Sequence, residues 1–199
     1  MSHKIILSVL LSCVFVGCDF GHGSAMREER AWLKERALYL YSSLGELRTD
    51  EDRLGRREYI KALLQAETDG CFDKRFGNGE TLLIKAVLFN DGEVVKKLLS
   101  IDCFADVAAT NNLGQSALSM AIERNYDEIV ASMLKVGAPV NVKDRNGVTP
   151  LMQALRVGNA DMIKKLLKCG ADSKARDVNG KTAADYALDN GKSNLIELL

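Results

Sequence analysis

The sequence predicts an all-α solenoid, in which helix-turn-helix repeats are joined by β-hairpin-like turns behind a helical N-terminal cap. Blocks of similar sequence begin at Gly79, Gly114, Gly147 and Gly180, which are 35, 33 and 33 residues apart. Each block contains apolar residues at helical spacing, as expected where neighbouring repeats stack. Aromatic residues make up only 6% of the chain, which is low for a β-sandwich and normal for a helical array.

The third block, "GVTPLMQALRVGNADMIKKLLKCGADS", shows the local signals most completely. Thr149 is suited to cap the first helix, and Pro150 suits its first turn, where a missing N–H costs nothing. Ala154 is small and allows two helices to approach closely. Gly170, like Gly137 in the second block, is expected to end the second helix in a left-handed turn.

Each second helix has an apolar stripe at positions i, i+1, i+4 and i+5. Its members are Val94, Val95, Leu98 and Leu99; Ile129, Val130, Met133 and Leu134; and Met162, Ile163, Leu166 and Leu167. Between blocks, "DRNG" and "DVNG" place Asp and Gly where a type I turn prefers them. Because such short helices cannot bury their apolar faces alone, the blocks are expected to stack into one core.

This pattern resembles ankyrin repeats. In the third block the matching residues are Thr149-Pro150-Leu151, Ala154, Met162-Ile163, Leu166-Leu167 and Gly170-Ala171-Asp172. The resemblance covers about residues 76–199. One position departs from it: where the family usually has histidine, the blocks have Ile84, Ser119, Met152 and Asp185. Hydrogen bonds between repeats through that imidazole cannot form, so we expect stability to rest more on apolar packing.

The domain organisation follows from the register of the blocks. We assign residues 76–199 to the array, with repeats at 79–113, 114–146, 147–179 and 180–199. Residues 26–75 are interpreted as the helical cap, including a divergent half repeat. That half repeat aligns with the stripe through Tyr59, Ile60, Leu63 and Leu64, and the last block places Leu195, Ile196 and Leu199 on it.

The N-terminal residues have the features of a signal peptide. A short basic start precedes the apolar run "IILSVLLSCVFV", whose twelve residues would span about 18 Å as a helix, too short to cross a bilayer. The run ends in Phe15-Val16-Gly17-Cys18, which resembles the lipobox of bacterial lipoproteins. That resemblance implies a signal peptide at residues 1–17, a lipid on Cys18 and a tether at residues 18–25.

Other interpretations of this segment stay open. "LLSC" places the lipid on Cys13, and a cut near "GSA" gives a secreted or periplasmic soluble protein with Cys18 removed. A chain that starts at Met26 would have no signal peptide. The lipoprotein interpretation predicts a bacterial envelope protein that is anchored to a membrane and faces the periplasm.

The three remaining cysteines allow two interpretations. Cys71 and Cys103 both follow second helices of adjacent blocks and can be paired as a disulfide. We favour the alternative, in which Cys71, Cys103 and Cys169 are small buried apolar residues.

Composition excludes several classes of function. With 27 basic and 27 acidic residues the net charge is zero, so no nucleic-acid partner is expected. His3 and His22 are the only histidines, so from Met26 onward we expect no histidine-based catalytic or metal site. No paired carboxylates or activated nucleophile stand out. We therefore expect no enzyme activity, no cofactor and no small-molecule substrate; a hydrolytic enzyme of unrecognised type is the contrary interpretation.

The resemblance to ankyrin repeats implies a protein-binding module, and we expect it to be a monomer. Its concave face is formed by the hairpin tips and the exposed ends of the first helices. The corresponding residues are Asn78, Glu80, Leu88 and Phe89; Asn112, Leu113, Gln115, Glu123 and Arg124; Arg145, Asn146, Val148, Arg156 and Val157; and Val178, Asn179, Lys181, Asp189 and Asn190. Interface energy concentrates in aromatic and Arg side chains, so we expect Phe89, Arg124, Arg145 and Arg156 to be anchors. An immunity or inhibitor protein for a toxin or enzyme is a more specific alternative.

Overall fold

The computed structural model divides the chain into two units, Met1–Gly70 and Cys71–Leu199. The residues that the structure describes are 75–99 and 105–199, together with Lys34, Arg36, Ala37, Tyr59 and Ala62.

In the N-terminal unit, the described residues are helical. Ala37, Tyr59 and Ala62 are buried there, and Tyr59 is a predicted stripe residue of the half repeat. The predicted signal peptide, the tether and the rest of the cap lie outside the described residues. The same holds for Cys13, Cys18, Cys71 and Cys103, so their predicted roles stay predictions.

The described part of the second unit consists of paired short helices, as the sequence predicts. The first three pairs are α1 (Leu82–Leu88) with α2 (Gly92–Leu99), α3 (Ala117–Glu123) with α4 (Asp127–Lys135), and α5 (Pro150–Val157) with α6 (Ala160–Lys168). The fourth block has α7 (Ala183–Asp189), followed by a 3-10 helix (Ser193–Leu198). First helices pack on first helices and second helices on second helices, which is the stacking of a solenoid.

Hydroxyl residues begin the first helices. The side-chain oxygens of Thr81, Ser116 and Thr149 accept hydrogen bonds from the N–H groups three residues later, at 3.3, 3.2 and 3.4 Å. These bonds satisfy N–H groups that the start of a helix leaves unpaired. The predicted cap at Thr149 is confirmed, and Pro150 occupies the first turn as expected.

The side chains that replace the expected histidine bond within their own helix. The Ser119 hydroxyl donates to the Ser116 carbonyl at 2.8 Å, and Met152 accepts the N–H of its cap residue through sulfur at 3.4 Å. Asp185 accepts both the N–H and the hydroxyl of Thr182 at 2.7 Å. Three of the four blocks, all except the first with its Ile84, therefore keep a polar contact at this position, but the contact is local and does not join two repeats.

The apolar stripes form the core, as predicted. Fully buried members are Val94, Val95, Leu98, Ile129, Val130, Met133, Met162, Ile163 and Leu166, whereas Leu99, Leu134 and Leu167 are half-buried. Burying one such side chain stabilises a fold by about 1.5–3 kcal/mol. These buried side chains are therefore the part of the second helices that contributes most to stability.

Backbone hydrogen bonds join each hairpin tip to the next. Three N–H groups donate to a carbonyl of the preceding tip at 2.8 to 3.0 Å: Asn112 to Asn78, Arg145 to Leu113, and Val178 to Asn146. Because each block donates to the one before it, the tips form a continuous row. These hydrogen bonds fix the distance between neighbouring tips and therefore between the side chains at equivalent positions of those tips.

The turn within each tip has the predicted geometry. In "DRNG", the Gly147 N–H donates to the Asp144 carbonyl at 2.9 Å. The Asp144 carboxylate accepts from the N–H groups of Asn146 and Val148 at 2.8 and 2.9 Å. Gly147 has a φ of 74°, and a Cβ there would lie 3.0 Å from the Asp177 Cα of the next tip. Glycine is required both for the turn and for the close approach of the next block.

The ends of the second helices also agree with the sequence. Gly137 and Gly170 have φ values of 81° and 86°, which confirms the predicted left-handed stops. Cys169 is exposed where α6 ends, so the expectation that it is buried is wrong. It falls after the last turn of α6, beyond the buried stripe.

The fourth block differs from the others at its second helix, which is 3-10 rather than α. Leu195 is buried, Ile196 is half-buried, and Leu199 is exposed rather than part of a buried stripe. The Lys192 ammonium, just before this helix, donates to the carbonyls of Arg156 and Val157 at 2.5 and 2.6 Å. The last block is thereby tied to the C-terminal end of α5.

Asn159 links two blocks through a single side chain. Its carbonyl oxygen accepts from the Met162 N–H at 3.1 Å and so caps α6. Its amide donates to the side chains of Asn125 and Asp127, at 2.8 and 2.9 Å, where α4 begins.

We predict that Asn159→Ala lowers the free energy of unfolding by about 1–2 kcal/mol, because a helix cap and the contacts between two blocks are lost together. Chemical denaturation followed by circular dichroism measures this loss. Asn194→Ala is the control, since Asn194 is exposed and makes no side-chain hydrogen bond within the described ranges. Equal stability of the two variants would contradict the linking role.

Candidate functional site

A cavity of about 420 Å³ lies between the hairpin tips and the first helices of the last three blocks. We call it the inner groove. Its lining consists of Gln115, Glu123, Asp144, Asn146, Val148, Gln153, Arg156, Asp177, Val178, Asn179 and Tyr186. Ligand sites in proteins commonly have a volume of this order.

Many predicted contact residues line the inner groove. They are Gln115, Glu123, Asn146, Val148, Arg156, Val178 and Asn179. The periodic register of the blocks therefore brings positions that are distant in sequence to one surface.

Other predicted contact residues lie outside the lining. Asn78, Asn112, Leu113, Arg124 and Arg145 are exposed, whereas Leu88, Phe89 and Glu80 are half-buried. Glu80 pairs with Lys85 at 3.2 Å, and Lys181 pairs with Asp189 at 2.6 Å.

Val157 and Asn190 also lie outside the lining of the inner groove. Val157 lines a second, more open cavity of about 390 Å³ together with Asn125 and Asn159. The side chain of Asn190 donates to the Tyr186 carbonyl at 2.8 Å and so closes the end of α7. The structure thus distributes the predicted surface over the inner groove, the tips and these separate contacts.

Sequence reasoning missed four lining residues, Asp144, Gln153, Asp177 and Tyr186. Gln153 and Tyr186 occupy equivalent places in α5 and α7, four residues after the cap. The sequence signal that could have identified them is a side chain with a polar group at a position where these helices are expected to be buried. Asp144 and Asp177 were recognised only as turn residues, although their carboxylates also face the groove.

An ion pair spans neighbouring blocks at one side of the groove. Arg156 donates to the Glu123 carboxylate at 2.8 Å, and the two residues occupy equivalent positions 33 apart. Both side chains are exposed, so the pair is expected to contribute little to stability. The main effect of the pair is to fix the Arg156 guanidinium beside the Glu123 carboxylate.

A carboxylate and a phenol meet at the other side of the groove. The Tyr186 hydroxyl donates to Asp177 at 3.0 Å. Burial raises the pKa of Asp177, but hydrogen bonds from Lys181, Tyr186 and Asn179 outweigh it and hold that pKa below the usual 3.8. Burial and the bond to Asp177, together with the charge of Asp144, raise the pKa of Tyr186 to about 12. At neutral pH the groove therefore has a charged Asp177 and a neutral Tyr186.

Gln153 is the most unusual residue of the lining. Its side chain is only 2% exposed, and its Oε1 has no hydrogen-bond partner among the described residues. Leaving a buried acceptor unpaired costs about 1–3 kcal/mol. Buried polar groups are nearly always paired, so an unpaired one calls for an explanation.

Two features that would indicate other functions are missing from the part of the chain that the structure describes. No group of three or more His, Cys, Asp or Glu residues there is arranged to hold a metal ion. No helix there combines the length and the apolar character needed to span a bilayer.

Comparison with known proteins gives matches to the same family. The family model for ankyrin repeats, described as three copies, matches residues 53–144 and 132–199. A stretch of 84 residues is 36% identical to the E3 ubiquitin-protein ligase XBAT33 of Arabidopsis thaliana. That match covers 41% of this chain and only 16% of the ligase. The similarity therefore concerns a small part of the ligase.

We predict that Gln153→Met raises the free energy of unfolding by about 1 kcal/mol, because an unpaired buried acceptor is replaced by an apolar side chain of similar shape. This corresponds to a rise in Tm of about 2–4 °C for a chain of this size. Thermal unfolding followed by circular dichroism measures it. A loss of stability would show that the Gln153 oxygen is paired in the folded protein.

Proposed function

The chain belongs to the ankyrin repeat family, and from this premise we propose that it binds a protein partner through its concave face while a lipid on Cys18 holds it at a membrane. Ankyrin arrays are protein-interaction modules, which gives the general class of function. The concave face, the anchor and the bacterial envelope are the specific parts of the proposal.

The inner groove is the observation that supports this binding face. It is assembled from three blocks, so its shape exists only in the stacked array. Beside it, the tips present Leu113 and Val178, which are 53% and 67% exposed. A second protein that covers Leu113 and Val178 would gain stability by removing their apolar surface from water.

The expected anchors contribute unequally in this arrangement. Arg124 and Arg145 are exposed and are therefore accessible to a partner. Arg156 is held by Glu123, so binding there replaces or extends an existing pair. Phe89 is half-buried and offers less surface than the sequence suggests. We therefore expect Arg124 and Arg145, together with the inner groove, to make the main contacts with the partner.

The lipid anchor is supported by sequence alone, through Phe15-Val16-Gly17-Cys18 at the end of the apolar run. An anchor of this kind would hold the array beside a membrane without a spanning helix. We do not assign the ligase activity of the plant relative to this chain, because the match covers only 16% of the ligase.

Site-specific photo-crosslinking in the native envelope tests the binding face. We expect a photoreactive amino acid at Val178 or Leu113 to capture the same protein, because both positions are exposed beside the inner groove. The matched control position is Lys164, exposed on α6 and outside the groove lining. Capture from Lys164 but not from Val178 or Leu113 would place the interface elsewhere.

Metabolic labelling with palmitate tests the anchor. We expect the label and membrane association to be lost in Cys18→Ala and kept in Cys13→Ala, because only the modified cysteine carries the lipid. The mass of the mature N-terminus gives an independent reading. Loss of label in Cys13→Ala alone would move the anchor to Cys13, and an unlabelled wild-type chain would show that there is none.

A further inference from the structure

The second helices have their charges separated along the helix axis. The carboxylates of α2, α4 and α6 all lie in the first turns. The C-terminal halves of the same helices contain only cations, namely Lys96, Lys97, Lys135, Lys164, Lys165 and Lys168. Because α4 packs between α2 and α6 in the stacked array, the basic ends of the three helices lie side by side.

The register of the blocks aligns these lysines. Lys164 occupies the same position in α6 as Lys96 does in α2, two blocks earlier. Lys168 is equivalent to Lys135, one block earlier. On α4, between the first two lysines, lies the small exposed Ala131. We call the surface formed by the six lysines and Ala131 the basic face.

The lysines of α6 have no neutralising partner in the part of the chain that the structure describes. Lys164, Lys165 and Lys168 are exposed, and they form neither ion pairs nor side-chain hydrogen bonds there. The buried side of α6 packs against α4 and α5, so the lysines lie on the side that faces away from the first helices. The lining of the inner groove contains no residue of a second helix.

Exposed apolar groups border the basic face. Val136 is 46% exposed directly after Lys135, and Cys169 is exposed at the equivalent position after Lys168. Ammonium groups beside small apolar side chains match a lipid surface, where phosphates lie next to the acyl boundary. Protein interfaces are instead depleted in lysine and enriched in aromatic and arginine side chains, which α2, α4 and α6 lack. The composition of the basic face therefore favours lipid over protein.

We propose that the basic face lies on an anionic phospholipid surface and so directs the inner groove away from the membrane, toward the protein partner. This inference rests on the proposed function, because the lipid on Cys18 is what brings the array to the membrane. The anchor supplies attachment, and the lysines supply orientation. Since salt screens charges at a surface, the orientation is expected to weaken at high ionic strength.

Photo-crosslinking to lipid tests the orientation. The full-length chain has a photoreactive amino acid at Ala131, within the basic face, or at Val178, on the tip of the fourth block. It is reconstituted in vesicles of phosphatidylcholine alone or with an equal amount of phosphatidylglycerol, and bound chain is recovered by flotation. We expect lipid crosslinks from Ala131 to be at least about tenfold more frequent in the anionic vesicles, because each lysine near such a surface contributes about fivefold. Crosslinks from Val178 should be rare in both.

Lys164→Gln should lower the crosslinks from Ala131 in anionic vesicles about fivefold, because one lysine leaves the basic face. Lys143→Gln is the matched control, since it removes an equal charge at an exposed position directly before a hairpin tip and should behave as the wild type does. Thermal unfolding verifies that both variants are folded. Equal yields from Ala131 in the two vesicles, equal yields from Ala131 and Val178, or a wild-type yield in Lys164→Gln would overturn the inference. Capture of a protein in place of lipid from Ala131 in the native envelope would also overturn it.

The two proposals can fail separately. If Cys18 is labelled with palmitate while Ala131 meets lipid equally in both vesicles, the anchor stands and the basic face is wrong. If the chain is unlabelled but Ala131 contacts lipid in the anionic vesicles alone, the basic face stands and the proposed anchor is wrong.

Discussion

The backbone hydrogen bonds between neighbouring hairpin tips are the interaction on which the rest of the array depends. Each bond requires a tip to approach the preceding one closely, and glycines such as Gly147 make the approach possible because any Cβ would meet the next backbone. The tips then fix the distance between first helices, whose buried faces complete the core. A groove that spans three blocks exists because this spacing is repeated without interruption.

Much of the fold was predictable because its causes are local in sequence. A hydroxyl cap, a proline in the first turn, and a glycine after the last turn each act within a few residues, as Thr149, Pro150 and Gly170 show. The apolar stripes were equally predictable, since the residues on the buried face of a helix recur every three to four positions. The 3-10 helix of the last block and the exposure of Cys169 were missed. Both depend on the residue at which an α-helix ends, which the apolar pattern of the helix does not fix.

The candidate site was predictable in outline and not in its chemistry. Register alone places Asn146 and Val178 beside one another, because equivalent positions of stacked repeats are neighbours. Arg156 was expected to be an anchor, and in the structure it pairs with Glu123, which lies one repeat earlier at the equivalent position. That pair was visible in the sequence as opposite charges 33 residues apart. That Gln153 Oε1 has no hydrogen-bond partner among the described residues could not be predicted, since it depends on the three-dimensional arrangement of the side chains around it.

The bonds from Lys192 to the carbonyls of Arg156 and Val157 have a consequence for how the array opens. In a linear array, stability is shared through the contacts between neighbouring repeats. Opening of the fourth block would remove a cation from two helix-end carbonyls of the third block, which would then need water as a partner. These bonds therefore couple the fluctuations of the third and fourth blocks, so we expect the exchange of their amide hydrogens to be correlated.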